Sequence, residues 1–235
     1  MKHVKIAAGL AFADYGRIGE QVAEASAAGV DYIHADACDM FDMPDCQLMG
    51  GPQVIKGIRP FTTLPIECHA YIQSCDFNFV DAVAAAGANL LILPAEYHMG
   101  APLVYLLNRS RKRGLKFGLT LCCFTPLCFV EEAVYELDRI HIVVHGVGDA
   151  YWGFRETQIP MVERARELID KKNPACELCV DGGILPDNAH KLIAAGADVV
   201  ESSRPIFKNP QGITEGVRAM RGVLDKAAEK SQPKS

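Results

Sequence analysis

The segment AAGAD (194–198), followed at once by an apolar run, decides the fold, because AAGVD (27–31) and AAGAN (85–89) repeat it elsewhere in the chain. Each copy ends an alanine-rich stretch with a glycine and opens an apolar run immediately. Gly29, Gly87 and Gly196 then stand where the C-terminus of a helix needs a left-handed residue. The same helix–glycine–strand joint at three points of the chain reads as one repeated strand–helix unit. Outward from these joints, the apolar runs predict strands near 4–9, 30–36, 64–69, 88–94, 115–121, 139–145, 177–181 and 197–201. Helices are predicted between them, near 15–28, 51–59, 76–86, 101–113, 127–136, 156–172, 186–195 and 211–229. Eight alternating units predict an α/β chain folded as a single (β/α)8 TIM barrel, residues 1–235 forming one domain. The runner-up is an open doubly wound sheet. That fold usually carries a glycine-rich phosphate loop after its first strand, and GLAFADYG (9–16) has no such pattern.

Composition fits this reading. A chain of 235 residues with 49% hydrophobic composition can bury a sizeable core. The net charge of −5 comes from interspersed signs, and the one basic run, RSRKRG (109–114), reads as the solvated end of a helix, so no nucleic-acid partner is expected. Nine cysteines without paired spacing, two of them the neighbours Cys122 and Cys123, argue against a disulfide scaffold and for a reducing compartment. Lys2 and Lys5 around the start of IAAGLAFA (6–13) mimic a secretory leader. Its apolar stretch lies at the bottom of the usual length of about 7–15 residues, and reading it so would cost the fold its first strand. No run approaches transmembrane length. A cytoplasmic protein without a membrane partner is expected, and helix faces rich in alanine and cysteine leave room for a homo-oligomer.

The residues with chemistry stand at the ends of three predicted strands: His34 and Asp36 in VDYIHAD (30–36), His69 in LPIECH (64–69), and Asp181 in CELCVDGG (176–183). Parallel strands bring their carboxyl ends to one face, where a barrel carries its site. A lone histidine there usually belongs to the core, and a lone aspartate usually caps the next helix. The four together ask for a common partner, since burying a carboxylate costs several kcal/mol unless it is paired or ligated. Two neutral imidazoles and two carboxylates suit one borderline divalent ion (zinc, manganese, iron(II) or cobalt), and thiolates are too few nearby for a structural zinc cage.

The segments IAAGLAFAD (6–14), IHADACD (33–39), ECHAYI (67–72), the TP of CCFTPL (122–127), VDGGI (180–184) and AGAD…IFK (195–208) resemble, in order and spacing, the ribulose-phosphate 3-epimerase family over most of the chain. VDGGI alone is common among phosphate-binding barrels; its combination with HxD and ECH at these separations is specific. The resemblance implies a barrel of the ribulose-phosphate-binding type and an isomerase acting on a small sugar phosphate. It implies one divalent metal on His34, Asp36, His69 and Asp181, with Asp36 and Asp181 also acting as acid and base. Glu96 matches a strand-4 glutamate near that site. Inverting a carbinol carbon beside a ketone requires removing a weakly acidic proton and returning one to the opposite face. A metal on the ketone oxygen would stabilise the enediolate, and two aspartates from strands 2 and 7 would flank it.

The departures concern the pocket. Gly9 stands where the family usually has a substrate-contacting serine, and Ala8 where it has proline; Ala70-Tyr71 replaces leucine–methionine. After strand 2, MFDMPD (40–45) keeps only the proline. HGVGDAYWGF (145–154) replaces a glycine-rich phosphate loop, and Ser203-Arg204 replaces a glycine–serine pair. The amides of Gly182, Gly183 and Ser203, with the fork of Arg204, are expected to hold an anion, phosphate or carboxylate. Another ketose, or an unphosphorylated one, stays open as substrate. A decarboxylase or aldolase of the same barrel group is a further alternative, although such relatives typically carry a lysine in the strand-2 motif and HADACD has none. A catalytically dead binding barrel would have no reason to keep four ligands together.

Overall fold

The computed structural model describes residues 3–39, 49–145 and 153–230. The segment 40–45 and residues 146–152 of the loop after strand 6 therefore lie outside the described residues. Eight parallel strands close on themselves: β1 (Lys5–Gly9), β2 (Tyr32–Cys38), β3 (Ile66–Tyr71), β4 (Leu90–Pro94), β5 (Lys116–Leu121), β6 (Arg139–Val143), β7 (Glu177–Asp181) and β8 (Val199–Ser202). Neighbours in this order are paired, and both β2 and β8 pair with β1, which completes the barrel. The helices of the eight units are α1 (Ile18–Ala28), α2 (Pro52–Ile58), α3 (Phe77–Ala85), α4 (Ala101–Lys112), α5 (Cys128–Glu131), α6 (Ile159–Lys172), α7 (Ala189–Ala194) and α8 (Ile213–Lys230). Single helical turns at Ala95–His98 and Arg204–Phe207 extend the loops after β4 and β8. A two-residue strand, Met49–Gly50, runs antiparallel to the end of β2.

The repeated joint folds as its glycines require. Gly29, Gly87 and Gly196 have φ of 101°, 96° and 101°. The residue after each closes a longer turn, Val30 N to Ala25 O, Ala88 N to Val83 O and Ala197 N to Leu192 O. The last residue of each copy has its own task. Asp31, Asn89 and Asp198 accept from the backbone N–H of Ile6, Ile66 and Leu178, each on the preceding strand of its pair, and Asp138 does the same for Phe117. The repeat is thus a stitch between consecutive strands at the lower rim of the barrel.

Alternation along the strands separates two interiors. Ile33, Ala35, Ile66, Cys68, Leu91, Leu93, Phe117, Leu119, Ile140 and Ile142 pack in the apolar layer between strands and helices. The alternate positions point to the barrel axis. Most barrels fill that space with branched aliphatic side chains; here Ala7, Cys179, Val199 and Tyr32 form only a small cluster, beside an ionic floor. Arg139 of β6, fully buried, bonds Glu67 of β3 and Glu177 of β7, the latter at 2.6 Å. Because β3 and β6 are not neighbours, the Arg139–Glu67 pair spans the interior. The guanidinium also lies 4.6 Å from the Tyr32 ring centroid, and Lys5 bonds Glu177.

Two boundaries differ usefully from expectation. β2 and β3 end at Cys38 and Tyr71, two residues beyond the predicted ends, so Asp36 and His69 lie inside strands. A polar residue facing the axis does not end a barrel strand, which the boundary reading had assumed. The helix predicted near 127–136 is reduced to α5 and a 3-10 turn at Val134–Glu136. Among the described residues no helix is long and apolar enough to cross a membrane.

Candidate metal centre and active site

Strand register assembles the site. In the β2–β3 ladder Asp36 lies opposite His69, and His34 opposite Glu67. Glu67 and Thr120 then orient the two imidazoles. His34 Nδ1 donates to Glu67 Oε1 at 2.7 Å, and His69 Nε2 and Thr120 Oγ1 are hydrogen-bonded at 2.8 Å. These outward bonds turn His34 Nε2 and His69 Nδ1 toward one another, 3.3 Å apart. Asp36 Oδ1 lies 3.2 and 3.6 Å from them, and Asp181 Oδ2 reaches in from β7 to 3.9 Å from His69 Nδ1. Two converging nitrogens with anchored far sides and two carboxylate oxygens are donors of the kind that suit a divalent cation. The triples His34–Asp36–His69 and His69–His141–Asp181 each have ligand atoms within 4.8 Å of one another, so these groups could hold a metal. His34, Asp36 and His69 share one triple, and Asp181 meets His69 in the other, beside His141.

Electrostatics agree. Burial alone would lower the affinity of His34 for a proton, but the carboxylates of Asp36 and Glu67 outweigh it and raise its pKa well above the ordinary value. Burial likewise opposes ionisation of Asp36, yet His34 and His69 hold its carboxyl below the usual carboxylate range.

Two side chains at this centre went unweighed in the sequence. His141 of β6 sits 4.3 Å from the His69 ring, centroid to centroid, and its Nε2 donates to Asp181 Oδ2 at 3.3 Å. Burial, with the neighbouring His69, pulls its pKa down to about 4, so the ring is neutral. Glu201 of β8 lies against Asp181; burial and the Asp181 charge push its carboxyl well above the usual range, while Asp181 stays well below. The signal was present, as ionisable residues at alternate positions of the apolar runs RIHIVV (139–144) and VVES (199–202). His141 stands inside the predicted strand 139–145, and Glu201, although it closes the predicted strand 197–201, has no histidine or aspartate motif beside it.

Above the centre opens a cavity of about 400 Å³ lined by His34, Asp36, Asp181 and Glu201, and on one side by Gly182, Gly183, Ser203 and Arg204. Gly182 and Gly183 turn the chain with φ of 116° and 62°, and a β-carbon on Gly182 would stand 2.4 Å from Cδ2 of His145. Only glycine fits there. Ser203 Oγ accepts from Phe12 N at 3.0 Å, and the Arg204 guanidinium lies 4.6 Å from the Phe12 ring centroid, which orders the β1 and β8 loops together. Glu96 is elsewhere. It accepts from Cys122 N at 2.8 Å and from Thr125 Oγ1, tying down the turn after β5, and it does not line the cavity.

The profile of the ribulose-phosphate 3 epimerase family matches residues 5–207. A ribulose-phosphate 3-epimerase of Escherichia coli is 31% identical over 231 residues, covering 97% of this chain and 99% of the relative. The chloroplastic ribulose-5-phosphate-3-epimerase of Arabidopsis thaliana is 30% identical over 213 residues, covering 90% and 73%. Among solved structures, 3-hexulose-6-phosphate synthase of Salmonella typhimurium superposes with a TM-score of 0.72 at 16% identity, covering 95% of this chain and 99% of that one. At that identity the likeness speaks for the barrel alone. The sequence relatives and the family profile go further: the chain belongs to the ribulose-phosphate 3-epimerase family, a family of isomerases.

Proposed function

We propose that this chain is a metal-dependent 3-epimerase of a ketose phosphate, working as one barrel domain over 1–235 in the cytoplasm and as a homo-oligomer. The observation that carries the reading is the meeting of two carboxylates from distant strands, Asp36 and Asp181, at one pair of anchored histidines. His34, Asp36, His69 and Asp181 would hold one divalent ion, zinc, manganese, iron(II) or cobalt. Such an ion polarises the substrate ketone and stabilises the negative charge that develops when the neighbouring carbon loses its proton. The chain's own groups move the proton. One aspartate takes it from one face of that carbon, and the other delivers a proton to the opposite face, which inverts the centre. Neutral His141 donates to Asp181 and fixes the direction of its carboxylate. The amides of Gly182, Gly183 and Ser203 and the Arg204 guanidinium hold the terminal phosphate away from the reacting carbon.

The test is solvent exchange. A panel of ketose phosphates and free ketoses incubated in deuterium oxide with the metal-loaded enzyme should show deuterium entering at the carbon beside the ketone, read by NMR. Exchange into a phosphorylated ketose supports the reading, and no exchange into any of them overturns it.

A further inference from the structure

We infer that Glu201 is a specificity-determining residue whose carboxyl group hydrogen-bonds a substrate hydroxyl lying between the reacting carbon and the terminal anion. The first observation is Gly9. A β-carbon at that position would fall 1.6 Å from Glu201 Oε1 and 2.7 Å from its Cδ. The backbone of Gly9 is ordinary extended chain, with φ −75° and ψ 129°, so no turn geometry demands glycine. What excludes a side chain there is the Glu201 carboxyl group itself.

The second observation is where that group is aimed. In the β1–β8 ladder Ala7 is opposite Glu201, so Gly9 lies two residues further toward the cavity on the same face. The glutamate therefore leans up the barrel and lines the cavity, although the residue is only 8% exposed. A buried carboxyl group bent toward a cavity over a residue without a side chain has been given room to act there.

The third is order along the strand. Glu201 touches Asp181 at one end, and Ser203 and Arg204 follow two and three residues later at the other. Two residues of strand span about 7 Å. This step rests on the proposed epimerase reading, in which Asp181 serves the reacting carbon and Ser203 with Arg204 the anion. A substrate stretched between them then passes Glu201 with its middle carbon. In a ketose phosphate that carbon carries a hydroxyl group, and a carboxyl group accepts from a hydroxyl whatever its own protonation state. The class of substrate is thereby narrowed to ketose phosphates hydroxylated at that carbon, such as a pentulose 5-phosphate with its C4 hydroxyl.

The experiment compares ribulose 5-phosphate with its 4-deoxy analogue on metal-loaded enzyme, by calorimetric Kd and by deuterium exchange, with metal content and Tm recorded for each variant. The wild type should bind the hydroxylated ligand at least about tenfold more tightly. Glu201→Val should remove that difference by weakening the hydroxylated ligand alone, with metal content unchanged. Gly9→Ala should do the same by displacing the carboxyl group, and Glu201→Gln, which keeps an acceptor of the same reach, should preserve the discrimination. Equal weakening of both ligands in Glu201→Val, loss of metal, or no discrimination by the wild type would each overturn the inference. Discrimination without deuterium exchange would uphold the role of Glu201 and sink the epimerase reading; exchange without discrimination would do the reverse.

Discussion

Replacing Arg139 with methionine should destabilise the barrel by about 3–5 kcal/mol, the usual consequence of removing one partner from a buried ion pair. Arg139 is fully buried and bonds both Glu67 and Glu177. Without the guanidinium, Glu67 remains fully buried and keeps its bond to His34 but loses the cation that bears most strongly on its charge. The same arginine governs the charge of Glu67: burial would raise its pKa, but Arg139 and then His34 overcome it and bring the carboxyl from its ordinary 4.5 down to about 2. For a chain of this length 1 kcal/mol moves Tm by about 2–4 °C, so calorimetry of the metal-free protein at pH 7 should show a drop of about 6–20 °C. The pH dependence has a definite sign. A folded-state pKa below the unfolded one gives stability that is present above pH 4.5 and lost as pH falls toward 2, so the gap between wild type and variant should narrow on acidification. Arg139→Met combined with Glu67→Gln should recover much of the loss, since the orphaned charge is then gone. A drop below 2 °C at pH 7, or a gap that widens in acid, would refute the reasoning.

Chelation should abolish epimerisation, and manganese, cobalt or zinc should restore it; full activity in metal-stripped enzyme, checked by elemental analysis, would rule out the metal role. Asp36→Asn and Asp181→Asn should each abolish net epimerisation, and one of them should keep deuterium exchange at a single face if it still binds metal; wild-type turnover in either would exclude the two-base scheme. Arg204→Ala should raise KM with little change in kcat, because the anion it holds is bound about equally in ground and transition states, at a cost of about tenfold or more in kcat/KM. An unchanged KM for the phosphorylated ketose would remove Arg204 from the anion site.

The barrel could be read from the chain because its evidence is local. A glycine with φ near 100° at the end of an alanine-rich helix, an aspartate or asparagine two residues later, and apolar residues at every second place are properties of a few neighbouring residues, and all of them are visible in AAGVD, AAGAN and AAGAD. The convergence of His34, Asp36, His69 and Asp181 was also within reach, since parallel strands deliver their carboxyl ends to one face. Resemblance assigned Glu96 to the neighbourhood of the site, but whether it faces the cavity depends on the turn after β5, which draws its carboxylate to Cys122 N and Thr125 Oγ1.

The chain by itself therefore determined the period of the fold, its joints and the strand-end positions of His34, Asp36, His69 and Asp181, all of which follow from backbone conformation and side-chain alternation. Only closure of the barrel decided which polar side chains meet across the axis. His69 and Thr120 are 51 residues apart, and Glu67 and Arg139 are 72 apart. Gly9 lies at the first strand and Glu201 at the last. Contacts of that separation leave no periodic trace in a sequence, because each depends on strand register and on the space a distant residue leaves empty.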